Sequence, residues 1–167
     1  MCQVSTTAFR AAFYGGYPIV ERTAHAYRVS YYEEGIGPGL DATVFTPWVD
    51  FKFKNDQPTW LVMRTEFNAA TATLSFIFYG TKPNREVVLE GPRILKETPA
   101  KPARYQVDAK MKAGEVKQVD WAHPGAEVVA TRIVREAGQP ERRDTFRSVY
   151  QPWGDIFLVG KGDPRAN

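Results

Sequence analysis

The first strong pattern of apolar positions along the chain predicts a helix close to its N-terminus. The helix is expected over about residues 5–14, because hydroxyl residues at 5–7 can cap its start and the glycines at 15–16 can end it. We expect its apolar face to pack against a sheet that carries Phe51 and Phe53. That face has the i, i+1, i+4, i+5 spacing of a helix and consists of Ala8, Phe9, Ala12 and Phe13.

After Pro18 the apolar positions change from a helical period to the alternating period of strands. The segments PIVER, AYRVSYY and VDFKFKN are predicted strands. PTWLVMRTEF and TATLSFIFYG are separated by residues 68–70, which predicts a hairpin. Further along, the sequence Ala-Gly-Gln-Pro at 137–140 supplies the turn of a second, longer hairpin.

These elements predict an α+β fold in which one N-terminal helix packs on a mostly antiparallel sheet and is followed by a β-rich tail. From Arg85 onward the composition becomes more polar and richer in proline. We therefore expect one domain over residues 1–90, a linker over 91–102 and a small all-β module over 103–167.

Composition adds limits on function. The 167 residues are 43% hydrophobic, which is enough to bury a core. Lys and Arg (22) nearly balance Asp and Glu (19) and are interspersed with them, so nucleic acid is not an expected partner. The sequence contains neither an apolar run of 18 residues nor a leader pattern, so we expect no membrane insertion, signal or anchor in this chain. One cysteine and two histidines argue against a structural zinc site, and we expect no metal and no cofactor.

The single cysteine, Cys2, comes directly before the predicted helix. Unpaired amide groups and the helix dipole stabilise a thiolate at such a position. His25 follows on the first extended segment and Asp41 on the next, which is the order of nucleophile, base and orienting carboxylate in a Cys-His-Asp acyl-transfer site. Spacing alone leaves the alternative open that Cys2 packs as a small apolar residue and that His25 is satisfied within the sheet.

Two long stretches resemble the VanW-like family of bacterial cell-envelope proteins, named after an accessory gene of some vancomycin-resistance clusters. They are CQVSTTAFRAAFYGGYPIVERTAHAYRVSYY and GLDATVFTPWVDFKFKN, and the resemblance covers about residues 1–80. The matching positions are Cys2, Gln3, Ser5, Thr6, Thr7, Glu21, Arg22, His25, Asp41, Ala42, Thr43 and residues 50–55. The tail more weakly resembles the G-five domain, a small β module of surface proteins, at Arg132, Val134, Gly138, Tyr150, Pro152, Val159 and Gly160.

The resemblance implies a parent protein located in the cell envelope or outside the cell. The family has three glycines directly before the cysteine, so we expect this chain to be a fragment that begins inside the motif. Thr23 stands where the family has the first of two histidines, which leaves His25 as the candidate base. Gln3 is a candidate donor to an oxyanion beside Cys2, with a surface or capping role as the alternative.

Two functions from different classes remain. In the first, Cys2, His25 and Asp41 hydrolyse or transfer peptide bonds of peptidoglycan, an arrangement similar in order to transglutaminase-like and NlpC-type peptidases. In the second, the chain is a non-catalytic module that binds a cell-wall polymer or organises a surface assembly. The expected partner in both is peptidoglycan or another cell-wall polymer. Candidate sugar-stacking residues, with core packing as their alternative, are Trp121, Trp153 and Tyr150.

Overall fold

The computed structural model describes residues 1–166, which form one α-helix and a series of strands. In the N-terminal half the elements are α1 (Cys2–Tyr14), β1 (Ile19–Glu21), a 3₁₀ helix (Ser30–Tyr32), β2 (Lys52–Phe53), β3 (Val62–Asn68) and β4 (Thr73–Tyr79). They are followed by β5 (Arg85–Thr98), β6 (Arg104–Val107), β7 (Val116–Asp120), β8 (Gly125–Glu136), β9 (Arg142–Tyr150) and β10 (Ile156–Val159).

The strands form four small sheets, and the fold is therefore β-rich with one helix, as the α+β class predicts. β1 pairs with β2, and β3 pairs with β4, both antiparallel. The other sheets have the orders β5-β8-β9 and β6-β10-β7, and in the latter β10 is parallel to β6 and antiparallel to β7. Both predicted hairpins are confirmed. The turn between β8 and β9 contains Gly138 with φ of 76°, a conformation that favours glycine.

The chain divides into two compact units. The first contains Met1–His25, Val29–Arg93 and Val128–Ser148, and the second contains Ala26–Arg28, Ile94–Glu127 and residues 149–166. These boundaries differ from the predicted ones, because the second hairpin belongs mainly to the first unit. Residues 91–98, predicted as a linker, continue β5 instead. Pro92 is compatible with this strand because β5 lies at the edge of its sheet, where a missing amide donor is tolerated.

The helix begins earlier than predicted and is not capped as predicted. It starts at Cys2 after Met1, and no side chain caps its first turn. Its end is confirmed at the two glycines. Gly16 has φ of 71°, and the amide of Tyr17 donates to the carbonyl of Ala12 at 3.1 Å, as in a Schellman motif.

The apolar core of the first unit gathers on α1. Of the four residues on its predicted apolar face, Ala8 is only half-buried and the other three are fully buried. The ring of Phe9 meets that of Phe51 edge-on, with 5.7 Å between centroids. The buried cluster contains Phe9, Phe13, Leu40, Ala42, Ala130 and Phe146.

The segment AYRVSYY was expected to be a strand, and this prediction is wrong. Its last three residues form the 3₁₀ helix, and the chain then turns through glycines into a loop. Tyr32 is buried there and stacks on the ring of His25 at 5.0 Å between centroids. This tertiary contact outweighs the local preference of the tyrosines for extended structure.

Candidate active site

Two hydroxyls of α1 hold the chain segment around Ala42 against the helix. Ser5 donates to the carbonyl of Ala42 at 2.6 Å, and Thr6 accepts a hydrogen bond from the amide of Ala42 at 3.1 Å. Neither hydroxyl caps the helix, because both form hydrogen bonds with Ala42, which is 36 or 37 residues further along the chain. The contacts fix Asp41 and Thr43, the neighbours of Ala42, near the first turn of α1.

Cys2 lies at that first turn and touches Thr43. The sulfur of Cys2 is 3.5 Å from the hydroxyl oxygen of Thr43. The hydrogen bond from Thr43 lowers the pKa of Cys2 most, followed by the interaction with nearby His25 and by the hydrogen bond from the backbone of Val44, and burial only partly opposes them. The pKa of the thiol falls to about 7, so a large fraction is thiolate at neutral pH.

His25 is oriented by Asp41, whose side chain is 4% exposed. One carboxylate oxygen, Oδ2, accepts from the backbone amide of His25 at 2.7 Å and lies 2.5 Å from Nδ1 of its ring. Burial is the largest influence on the pKa of His25 and lowers it. The interactions with Asp41 and Cys2, including the charges of both groups, together outweigh burial, so the pKa of His25 is raised.

The other ring nitrogen, Nε2, is buried and has no partner in hydrogen-bonding geometry. Cys2 and His25 are nevertheless close enough that each shifts the pKa of the other towards its charged form. A thiol beside an imidazole nitrogen with no other partner is typical of a nucleophile and its base before substrate binds. The hydrogen bond between the two groups commonly becomes short and well aligned only when substrate is present.

Arg22 is a member of this cluster whose role the sequence did not reveal. Its side chain, 5% exposed, donates to the Asp41 carbonyl at 2.6 Å and lies 3.4 Å from the second carboxylate oxygen, Oδ1. It also donates to the Gly39 carbonyl at 2.8 Å and to the Ser148 hydroxyl at 2.9 Å. Arg22 thus holds one side of the Asp41 carboxylate while His25 uses the other.

The structure brings together three of the four predicted catalytic residues, Cys2, His25 and Asp41. Gln3, the fourth, lines a cavity beside α1, and its backbone carbonyl accepts from the Thr7 hydroxyl at 2.8 Å. Its proposed hydrogen bond to an oxyanion stays a prediction.

The three aromatic residues expected to bind sugars differ in exposure. Trp121 is 60% exposed, whereas Trp153 is half-buried, donates to Asp120 at 2.8 Å and meets the ring of Tyr27 edge-on. Tyr150 is only 5% exposed, because burial alternates along the end of β9 and Tyr150 falls on the buried face. Tyr150 therefore does not present a ring for stacking, which corrects the sequence-based expectation.

Within residues 1–166, no three His, Cys, Asp or Glu side chains are grouped as a metal site requires. In the same part of the chain, α1 is too short and too polar to cross a bilayer, and no other helix is suited to do so.

The fold and the cluster define a β-rich protein with a Cys-His-Asp arrangement at the start of α1. Residues 1–77 match the family described as "VanW like protein". This match confirms the resemblance of the N-terminal part of the chain to the VanW-like family. Cys2, His25 and Asp41 all lie inside the match.

A curated relative and a solved structure also show similarity. The chain is 38% identical over 66 residues to the uncharacterized protein YoaR of Bacillus subtilis (strain 168). The matched part is 40% of this chain and 20% of that protein, so the chain spans about a fifth of its relative. The crystal structure of HP0197-G5 is 18% identical, with a TM-score of 0.24, over 45% of this chain and 99% of that one. The G-five resemblance of the tail stays a prediction.

Proposed function

We propose that this chain is part of a cell-envelope protein in which Cys2, His25 and Asp41 carry out acyl transfer on peptide bonds of peptidoglycan. The observation that supports this most is the 2.5 Å contact between Asp41 Oδ2 and His25 Nδ1, made beside a thiol of pKa about 7. The match of residues 1–77 to the VanW-like family supports the cellular location.

The chemistry follows from the protonation states that this cluster favours. The Cys2 thiolate attacks the carbonyl carbon of the peptide, forming a carbon–sulfur bond and a tetrahedral oxyanion. His25, protonated, then donates the proton of Nε2 to the leaving amine, and a thioester to Cys2 remains. The neutral imidazole next takes a proton from water or from a second amine as it attacks the thioester. The carbon–sulfur bond then breaks, which releases the acyl product and restores the Cys2 thiolate beside protonated His25.

Asp41 and Thr43 have separate tasks in this scheme. Asp41 holds Nδ1, which directs Nε2 towards the thiol and stabilises the imidazolium. Thr43 donates to the sulfur and so stabilises the thiolate before attack. Arg22 acts through Asp41 as a positioning residue, since it fixes the second carboxylate oxygen.

The test is the pH dependence of alkylation of Cys2 by iodoacetamide. We expect the wild-type rate to rise with a midpoint near pH 7, and His25→Ala to move the midpoint upward by roughly half a unit to one unit. His123→Ala is the matched control, because His123 pairs through its backbone with Trp153 in the second unit. The modified residue is identified by peptide mass spectrometry.

A wild-type midpoint near the value of an ordinary cysteine, about 8.5, would reject the catalytic proposal. An equal shift in both histidine variants would reject it as well, because the effect would then not depend on the site.

The non-catalytic alternative has its own support in Trp121. An indole that is 60% exposed offers a face for sugar stacking. If the chain binds wall polymer through it, Trp121→Ala should weaken co-sedimentation with purified peptidoglycan about fivefold. Trp60→Ala, which removes another exposed tryptophan from the first unit, is the control. Equal binding by both variants and wild type would exclude Trp121 as the contact.

A further inference from the structure

A cavity of about 520 Å³ lies in the first unit between α1, the 3₁₀ helix and the β3–β4 hairpin. This volume is within the range of small-molecule and peptide pockets. The walls come from all three elements and include Gln3, Thr7 and Arg10 of α1, Tyr32 of the 3₁₀ helix, and Phe67 and Leu74 of the hairpin.

Two residues connect this cavity with the Cys2 cluster. Gln3, on its wall, is the residue that follows Cys2 in the chain. Tyr32 also lines the cavity, and its ring stacks on that of His25 with an interplanar angle of 27°. Two residues of the cavity wall are thus direct neighbours of the candidate nucleophile and the candidate base, Gln3 along the chain and Tyr32 through its ring.

The length of the cavity along α1 corresponds to a short extended peptide. Gln3, Thr7 and Arg10 have i, i+4, i+7 spacing and form one stripe of the helix. Seven residues of helix rise by about 10.5 Å. Three residues of extended peptide span about 10 Å.

The chemistry of the walls favours uncharged side chains. Arg10 is the one charged residue among those lining the cavity in the described part of the chain, and its guanidinium donates to the carbonyls of Leu40 and Tyr32. These hydrogen bonds engage the guanidinium of Arg10 within the protein, so its role is to stabilise the wall of the cavity. Phe67, 69% exposed, and Leu74 give the opposite side an apolar surface, while the Gln3 amide can donate to and accept from a peptide backbone.

We propose that this cavity is the peptide-binding subsite of the Cys2 cluster, holding about three extended residues with uncharged side chains next to the bond that is attacked. The proposal rests on the catalytic function proposed above and adds its substrate requirement. Gln3 and Phe67 then contribute to specificity, a role that the sequence pattern predicted for neither residue.

The experiment uses chloroacetyl amides that carry zero to four alanine residues. The thiolate displaces chloride from each probe, forming a carbon–sulfur bond, so the rate of labelling reports both reactivity and peptide binding. We expect the wild-type rate constant to rise by at least about tenfold from zero to three residues and to change little with the fourth. An aspartate in the middle of the tripeptide should remove most of this gain.

Two variants test the location. Thr7→Trp, which fills the cavity, and Phe67→Ala, which removes an exposed wall residue at little risk to folding, should each lower the ratio of tripeptide to iodoacetamide rates several-fold. Tyr14→Trp, on an exposed position of the same helix, should keep the wild-type ratio.

The outcomes separate the two proposals. A thiol midpoint near 7 together with rates independent of peptide length, or a length dependence that all three variants retain, overturns the subsite and leaves the catalytic proposal in place. If the wild-type Cys2 thiol titrates like an ordinary cysteine, near pH 8.5, the catalytic proposal itself is overturned.

Discussion

Replacing Arg132 with methionine should lower the free energy of unfolding by about 3 kcal/mol. Arg132 is fully buried in the first unit, where it donates to the carbonyls of Phe13 and Tyr17 and pairs with Asp144 at 2.6 Å. Methionine fills a similar apolar volume but leaves the Tyr17 carbonyl without this donor. The guanidinium also lies 5.0 Å from the centre of the Phe13 ring, and this contact at the end of α1 is lost.

Arg143→Met is the matched control, since it makes the same substitution in the same hairpin. The side chain of Arg143 is 53% exposed and pairs with Glu90 and Glu141 on the surface. Its loss should change stability by no more than about 0.5 kcal/mol. Urea unfolding followed by circular dichroism measures both variants, and similar values for the two would contradict the role given to burial.

The parts of the fold that local signals determine were predictable from the sequence. The β3–β4 hairpin and the Gly138 turn follow from alternating apolar residues and from turn chemistry, which act over a few residues. The strand prediction for residues 26–32 was wrong because a distant contact, and not the local pattern, determines their structure. The tyrosines of this segment favour a strand locally, but Tyr32 is placed by its contact with His25, a contact that local pattern does not encode.

Ser5 and Thr6 show the same limit at the site. Hydroxyls at the start of a helix predict capping, yet both bond Ala42, which is far away in the sequence. The order of Cys2, His25 and Asp41 suggested chemistry without showing proximity. It is the attachment of Ala42 to α1 that places the carboxylate and the thiol at one end of the helix.

Two further residues of the site were identified from the sequence, but the sequence predicted no function for either. Thr43 and Arg22 were recognised only as positions that match the VanW-like pattern. Their functions depend on partners such as Cys2, 41 residues from Thr43, and Asp41, 19 residues from Arg22. The sequence offered one signal for each residue. Thr43 is a hydroxyl residue two positions after the candidate carboxylate, and Arg22 is a cation three positions before the candidate base.

Thr43→Val should raise the pKa of the Cys2 thiol by about one unit, more than any other single replacement around the sulfur. The hydroxyl of Thr43 lies 3.5 Å from the sulfur, and its hydrogen bond is the largest cause of the lowered thiol pKa. Valine keeps the shape and β-branching of threonine but donates no hydrogen bond to a thiolate. At pH 6 the thiolate fraction should therefore fall about tenfold, measured by the alkylation profile.

Thr43→Ser is the matched control, because it keeps the hydroxyl and should leave the midpoint within about 0.3 units of wild type. Equal shifts in the valine and serine variants would mean that packing, and not the hydrogen bond, sets the pKa of the thiol. Because Thr43 and His25 act on the same thiolate through separate contacts, Thr43→Val combined with His25→Ala should move the midpoint to that of an ordinary cysteine, about 8.5. A double variant that stays near 7 would show that neither contact activates Cys2.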